Sequence, residues 1–221
     1  MTTVVLLPGF QGRADQPILK RLEARLLPRS PSTESLRSPR AESRGDLTCL
    51  RRAPPRLKLT PDLEAYVDWL EEEVSEVRGP LIIVGRSFGG RLAIRLAARR
   101  KLAAVVLLGF PIRPPGKKRP HDEQALAALT CPAWIAQGTK DELGPMKVLR
   151  QFSGAAEIFP VVGAGHSFGA KEAATLDAAA RWIRNLSPSP RGGRGSGRGL
   201  AKLNAEAAMS TEPCSSRSSC F

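Results

Sequence analysis

Histidine is nearly missing from this chain: 221 residues contain only His121 and His166. Cysteine is sparse too, with Cys49, Cys131, Cys214 and Cys220 scattered and no Cys-X-X-Cys pair. That distribution offers neither zinc-ligand spacing nor a disulfide framework. Long apolar runs are also lacking. None approaches the roughly 18 to 20 residues of a membrane helix, and the first apolar run is too short, with no basic segment before it, for a signal peptide. The expected location is therefore cytoplasmic. Aromatic residues make up only 5% of a chain that is 42% hydrophobic, which suits a Val/Leu/Ala-rich α/β core. Acidic residues are outnumbered 34 to 21 by basic ones, for a net charge of +13. Much of the excess is local: residues 28–58 hold 8 basic and 3 acidic side chains and residues 187–221 hold 5 and 2, leaving +5 for the rest. A Gly-Arg tail can hold phosphates without sequence preference, but this one has hardly an aromatic ring to stack on bases. No specific nucleic-acid function is expected.

Against that background one stretch stands out. Residues 81–90 read Leu-Ile-Ile-Val-Gly-Arg-Ser-Phe-Gly-Gly and run straight into the helix-like Arg91-Leu92-Ala93-Ile94-Arg95-Leu96-Ala97. A buried strand, a Gly-X-Ser-X-Gly turn and a helix make a nucleophile elbow, in which Ser87 stands at the tip and Gly85 and Gly89 leave no room for side chains. Alone, the pattern also fits an ordinary strand-to-helix turn. Chain order adds weight, because an acid and a histidine follow in the sequence that an α/β-hydrolase requires. Asp141 comes just after the apolar segment Ala133-Trp134-Ile135-Ala136, and His166 just after Glu157-Ile158-Phe159-Pro160-Val161-Val162. Both thus follow the carboxyl end of a predicted parallel strand, where open α/β sheets collect their sites. Glu142 is the fallback acid and His121 the fallback histidine.

These residue types suit acyl transfer. A serine hydroxyl is a weak nucleophile at neutral pH, so His166 would take its proton during attack and return one to the leaving group. Asp141 would orient the imidazole and stabilise the imidazolium. The oxyanion needs preorganised donors, each worth about 3 to 4 kcal/mol. The backbone N–H of Phe88 is one candidate, and that of Phe10 or Gln11, in the Pro8-Gly9-Phe10-Gln11-Gly12 turn after the first strand, is the other. This chemistry requires no metal or organic cofactor. Arg86 beside Ser87, and Arg113 with Lys117, Lys118 and Arg119 in the connection after residues 104–108, offer positive charge to an anionic acyl substrate. A solvated basic loop is the plainer reading of that connection.

Residues 3–27 and 60–185 resemble the small single-domain α/β-hydrolases of the dienelactone-hydrolase-related branch, which includes a testis-expressed hydrolase-like protein and a subunit of the histone-acetylation (nonspecific lethal) complex. The resemblance is carried by Leu7-Pro8-Gly9-Phe10, Val84-Gly85-Arg86-Ser87-Phe88-Gly89-Gly90, Gly109-Phe110-Pro111-Ile112-Arg113-Pro114-Pro115-Gly116-Lys117, Gln137-Gly138-Thr139-Lys140-Asp141 and Gly165-His166-Ser167. The Pro114-Pro115-Gly116-Lys117 block is the most specific, since nothing in the generic fold demands it. Dienelactone hydrolases proper carry a cysteine where this chain has Ser87, so their substrate is not implied.

The expected architecture is an α/β-hydrolase fold with a minimal, mostly parallel sheet and helices on both faces. Residues 4–7, 81–84, 104–108 and 133–136 are apolar without alternation, as in strands covered on both sides. Helical patterns occupy 16–27, 91–100, 122–129 and 171–185. Another begins with Thr60 as cap and Pro61 at the first position, and continues through Leu63, Tyr66, Val67, Leu70, Val74 and Val77. The domain is expected over residues 1–186. Two segments do not fit. Residues 28–58 hold no convincing strand where the fold expects one at the sheet edge, and read as a low-complexity insertion or a reading-frame excursion. Residues 187–221 read as a disordered basic tail. The expected function is a serine hydrolase acting on a small-molecule ester or related acyl compound; a catalytically silent interaction scaffold on the same fold is the alternative. No membrane partner is expected, and the sequence does not set the oligomeric state.

Overall fold

The computed structural model describes residues 1–27, 47–60 and 62–186. Six strands, β1 (Thr2–Leu7), β2 (Leu47–Arg51), β3 (Leu81–Arg86), β4 (Ala104–Leu108), β5 (Ala133–Gly138) and β6 (Glu157–Val161), form one sheet in the order β2-β1-β3-β4-β5-β6. Every neighbouring pair is parallel, so the sheet is wholly rather than mostly parallel. Helices α1 (Pro17–Leu26), α2 (Glu64–Glu73), α3 (Phe88–Arg99), α4 (Pro120–Ala127), α5 (Met146–Phe152) and α6 (Glu172–Leu186) supply the crossovers and cover both faces.

The unbroken apolar runs follow from this layering. Strand side chains alternate between faces, and both faces are buried. Val5, Leu7, Ile83, Val105, Leu107 and Ile135 meet α2, α3, α4 and α5 on one side. Val4, Leu6, Ile82, Val84, Val106, Leu108, Trp134 and Ala136 meet α1 and α6 on the other. Neither register has a solvent side on which polar residues could be placed.

Strand β2 corrects the reading of residues 28–58. It pairs with β1 from Thr2 opposite Leu47 to Leu6 opposite Arg51. Leu47 and Cys49 lean on the α1/α6 side and Leu50 on the other, while Arg51 pairs with Glu23 at 3.1 Å and Arg52 with Glu73 at 2.8 Å. Four residues of modest β-propensity set among charges give little local signal, and pairing with the buried β1 overrides it. The remainder of the frame-excursion reading, over residues 29–46, lies outside the described residues, as does the expected tail at 187–221.

Helix α2 starts at Glu64, later than the Thr60 cap implies. Leu63 sits in the left-handed region at φ 58° and is 1% exposed, so burying its side chain sets the start of the helix. Helix α5, which the sequence reading did not anticipate, is a seven-residue segment that buries only Leu149 completely. Helix α4 is bound to α3 through Asp122, which is fully buried. Its Oδ2 accepts from Arg91 Nε at 2.5 Å and its Oδ1 from Arg95 Nη2 at 2.8 Å. Among the described residues no helix is long and apolar enough to cross a membrane.

Candidate functional site

The strand order reverses between β1 and β3, and the carboxyl ends of such strands flank the crevice where open α/β sheets bind ligands. Ser87 lies there, between β3 and α3, at φ 49° and ψ −109°. A non-glycine residue in so sparsely populated a conformation costs about 1 to 3 kcal/mol and persists only where its surroundings enforce it. Here they do. The Ser87 N–H donates to the Leu108 carbonyl at 3.0 Å and the Gly90 N–H donates to the Ser87 carbonyl at 2.9 Å. A Cβ on Gly85 would lie 2.3 Å from the Gly90 nitrogen, and one on Gly89 2.7 Å from the carbonyl oxygens of Leu7 and Pro8. The elbow glycines therefore serve as expected from the pattern: the turn crosses itself and the end of β1 without space for a methyl group.

His166 reaches Ser87 from the loop after β6, with Nε2 2.9 Å from Ser87 Oγ and Nδ1 2.8 Å from Asp141 Oδ2. Asp141 follows β5 and is 3% exposed. Its Oδ1 accepts the Leu143 N–H at 2.9 Å, and its Oδ2 also accepts from Gln137 Nε2 at 2.8 Å. The structure thus brings Ser87, His166 and Asp141 into one hydrogen-bonded line. The fallback residues stand apart from it: Glu142 and His121 are both exposed, the latter at the start of α4.

The turn after β1 runs directly over the elbow, since a Cβ on Gly9 would come within 3.7 Å of Ser87 Cβ. The Gly12 N–H donates to the Gly9 carbonyl at 2.9 Å, and Gln16 Oε1 accepts the Gly9 N–H at 3.1 Å, which fixes the turn on the N-terminus of α1. Among the described residues, the N–H groups of Phe10, Gln11 and Phe88 have no protein acceptor. Gln11 has φ 54°, and Phe88 opens α3, where helical geometry leaves donors unpaired. The Phe10 ring, 52% exposed, packs edge-on against Phe88 at 5.6 Å, and Phe88 in turn against Tyr66 at 5.2 Å.

Neither arginine expected to face substrate is a free cation. Arg86 is 7% exposed, and its guanidinium is turned to the Leu108 carbonyl at 3.1 Å and to His166. Burial lowers its pKa, against the opposing charges of Asp141 and Glu172. Arg113 pairs with Glu123 at 2.6 Å and lies over the Phe152 ring at 5.9 Å. The connection after β4 is folded inward at its start, where Phe110 and Ile112 are fully buried and Arg119 donates to the Pro111 carbonyl at 2.8 Å, whereas Lys117 and Lys118 are exposed.

Two supporting residues were not singled out from the sequence. Gln137 at the end of β5 is fully buried and fully bonded: its Oε1 accepts the Phe110 N–H at 2.7 Å, and its Nε2 donates to Asp141 and to the Gly144 carbonyl at 2.8 Å each. It ties the acid to the end of β4. A polar residue closing an otherwise apolar buried strand was the available signal. Gln16 gave none, because its partner is a backbone N–H seven residues away. No group of His, Cys, Asp and Glu among the described residues is arranged to hold a metal ion.

The sequence profile of the alpha/beta hydrolase domain family matches residues 42–188. Among solved structures, Est1E from Butyrivibrio proteoclasticus with ferulic acid bound is similar with a TM-score of 0.60 at 14% identity, over 84% of this chain and 89% of that one. A YdeN-like hydrolase from Pectobacterium atrosepticum is similar at 0.59 and 21% identity, over 85% and 93%. N-formylmaleamic acid deformylase from Pseudomonas putida is similar at 0.57 and 14%, over 80% and 91%. At these identities the likeness is one of fold. No curated protein matches the chain in sequence.

Proposed function

The chain belongs to the alpha/beta hydrolase domain family, and from that premise we propose that it is a serine hydrolase cleaving an ester or related acyl substrate through an acyl-enzyme. The observation that carries this reading is the line from Ser87 Oγ to His166 Nε2 at 2.9 Å and from His166 Nδ1 to Asp141 at 2.8 Å, at a strained elbow. Ser87 Oγ attacks the substrate carbonyl while Nε2 takes its proton; Asp141, accepting from Nδ1, stabilises the imidazolium. The tetrahedral oxygen is held by the N–H of Phe88 and by that of Phe10 or Gln11. Collapse expels the leaving group with the proton from Nε2. A water, deprotonated by the same nitrogen, then attacks the acyl carbonyl, and collapse breaks the bond to Ser87 Oγ, which takes the proton back from Nε2 as the acid leaves. We further assign the chain to the dienelactone-hydrolase-related branch, on the Pro114-Pro115-Gly116-Lys117 block.

With Arg86 and Arg113 both engaged, the exposed Phe10 ring, packed on Phe88 next to Ser87, favours a neutral or apolar group on the substrate. A fluorophosphonate probe, which phosphonylates an activated serine, tests the reading. Labelling is expected for the wild-type protein and is lost in Ser87→Ala and His166→Ala. Folded wild-type protein that resists the probe would overturn the proposal.

A further inference from the structure

A buried guanidinium ordinarily rests on a carboxylate. Arg86 does not. Its Nη1 donates to the Leu108 carbonyl at 3.1 Å, its Nη2 donates to the His166 carbonyl at 2.9 Å, and Nη1 lies 3.0 Å from His166 Nε2. No ion pair involves it among the described residues; the Phe168 ring covers it at 5.7 Å. The space is shaped around it. Gly109 has φ 63°, and a Cβ there would stand 2.7 Å from Nη1 and 3.0 Å from the His166 carbonyl oxygen. Burying a guanidinium with no carboxylate in direct contact is costly, so the arrangement calls for a purpose other than stability.

We propose that Arg86 is a positioning residue that grips His166 at two points, backbone carbonyl and ring, and holds the imidazole in the tautomer that can receive the proton of Ser87. This rests on the serine-hydrolase reading. A guanidinium has only donors to offer, so the nitrogen it faces, Nε2, must present a lone pair. The Asp141 carboxylate on the other side accepts, so Nδ1 must carry the hydrogen. Both neighbours therefore demand one neutral form of the ring, with its base aimed at Ser87. Nε2 has a single in-plane lone pair and two donors within reach, Ser87 Oγ at 2.9 Å and Arg86 Nη1 at 3.0 Å. Arg86 secures that lone pair while the serine hydroxyl is turned away, and yields it as the Oγ–H bond breaks. The planar fork holds two separate nitrogens in the geometry that both grips need; a lysine ammonium, one nitrogen on a flexible stem, does not.

The test compares wild type with Arg86→Lys and with Arg86→Ala, the latter with and without added methylguanidinium. Three readouts are taken: the second-order rate of fluorophosphonate labelling, the melting temperature, and the ¹⁵N resonances of the His166 ring. Misplacing a catalytic group by about 1 Å costs on the order of 100-fold, so Arg86→Lys is expected to label about 10- to 100-fold more slowly while remaining folded. Methylguanidinium is expected to restore several-fold of the rate lost in Arg86→Ala, and the ring resonances in both variants to show a mixture of tautomers. Equal labelling by wild type and Arg86→Lys, or ring resonances that do not change, would overturn the inference. So would a lowered melting temperature with no labelling defect per folded molecule. The two readings separate cleanly: unlabelled wild type removes the hydrolase assignment, whereas comparing the ring spectra of Ser87→Ala and Ser87→Ala/Arg86→Lys, which needs no hydrolase activity and removes the competing serine donor, decides whether Nε2 accepts a hydrogen bond from Arg86.

Discussion

Two arginine clusters lie on either side of the start of α3, and they use buried charge in opposite ways. Arg91 and Arg95, one helical turn apart, converge on the buried carboxylate of Asp122, and Arg95 also donates to the Asp62 carbonyl at 2.9 Å. These donors all end on oxygens, and the result is a clamp between helices. Arg86 ends on carbonyls and on a nitrogen that must remain free to change its bonding. A polar network closed on itself fixes the fold; one left open by a single lone pair can do chemistry. The Phe88 ring links the two, since Arg91 stands 5.8 Å from its centroid and its N–H is a proposed oxyanion donor.

The contrast breaks most readily at His166. His166→Ala is expected to lower probe labelling by roughly 1,000-fold or more, as in triads that act as a unit, with the melting temperature almost unmoved. Asp122→Ala is expected to do the reverse. Stranding two buried arginines costs about 3 to 5 kcal/mol, visible as an earlier chemical denaturation midpoint, with labelling per folded molecule within a few-fold of wild type. Labelling that collapsed as far as in His166→Ala would merge the two clusters into one catalytic unit. Gln137→Leu falls between them, because Gln137 serves both the fold and the acid. Unpairing the Phe110 N–H costs about 1 to 3 kcal/mol, and a loosened Asp141 is expected to slow labelling by roughly 10-fold, about 1.4 kcal/mol in the barrier.

The smallest effect is expected away from both clusters. Burial, with the Glu23 charge adding to it, pushes the Cys49 thiol up to about 12. Below that pH it stays protonated, so iodoacetamide at pH 8 is expected to modify it far more slowly than the free amino acid. Its alkylation rate should rise about tenfold per pH unit above pH 8 with no levelling-off in the range where a free cysteine has already reached its plateau.

What the sequence disclosed depended on whether the signal was local. The elbow at Gly85–Gly89 is a contiguous steric requirement, so it could be read directly, and chain order pointed to Asp141 and His166. Strand β2 was not legible, because Leu47-Thr48-Cys49-Leu50 becomes a strand only through β1. The start of α2 differs from the sequence pattern for a related reason: burial of Leu63 outweighs the capping signal of Thr60 and Pro61. By its charge alone Arg86 points to an anionic substrate. Its actual neighbours come from positions 108, 109 and 166, and only the fold brings those together.

The borders of the sheet carry a consequence for the crowded cell. A parallel sheet whose last strands offer open hydrogen-bonding groups invites another chain to add a strand, and so begins a polymer. At one border, β6 contains Pro160, which has no N–H to give an arriving strand. At the other, Arg51 closes β2 and Arg52 follows it, charges of the kind that discourage an added strand. Replacing Pro160 and these two arginines with β-branched residues would leave the proposed chemistry untouched and turn a self-limited sheet into a template for aggregation.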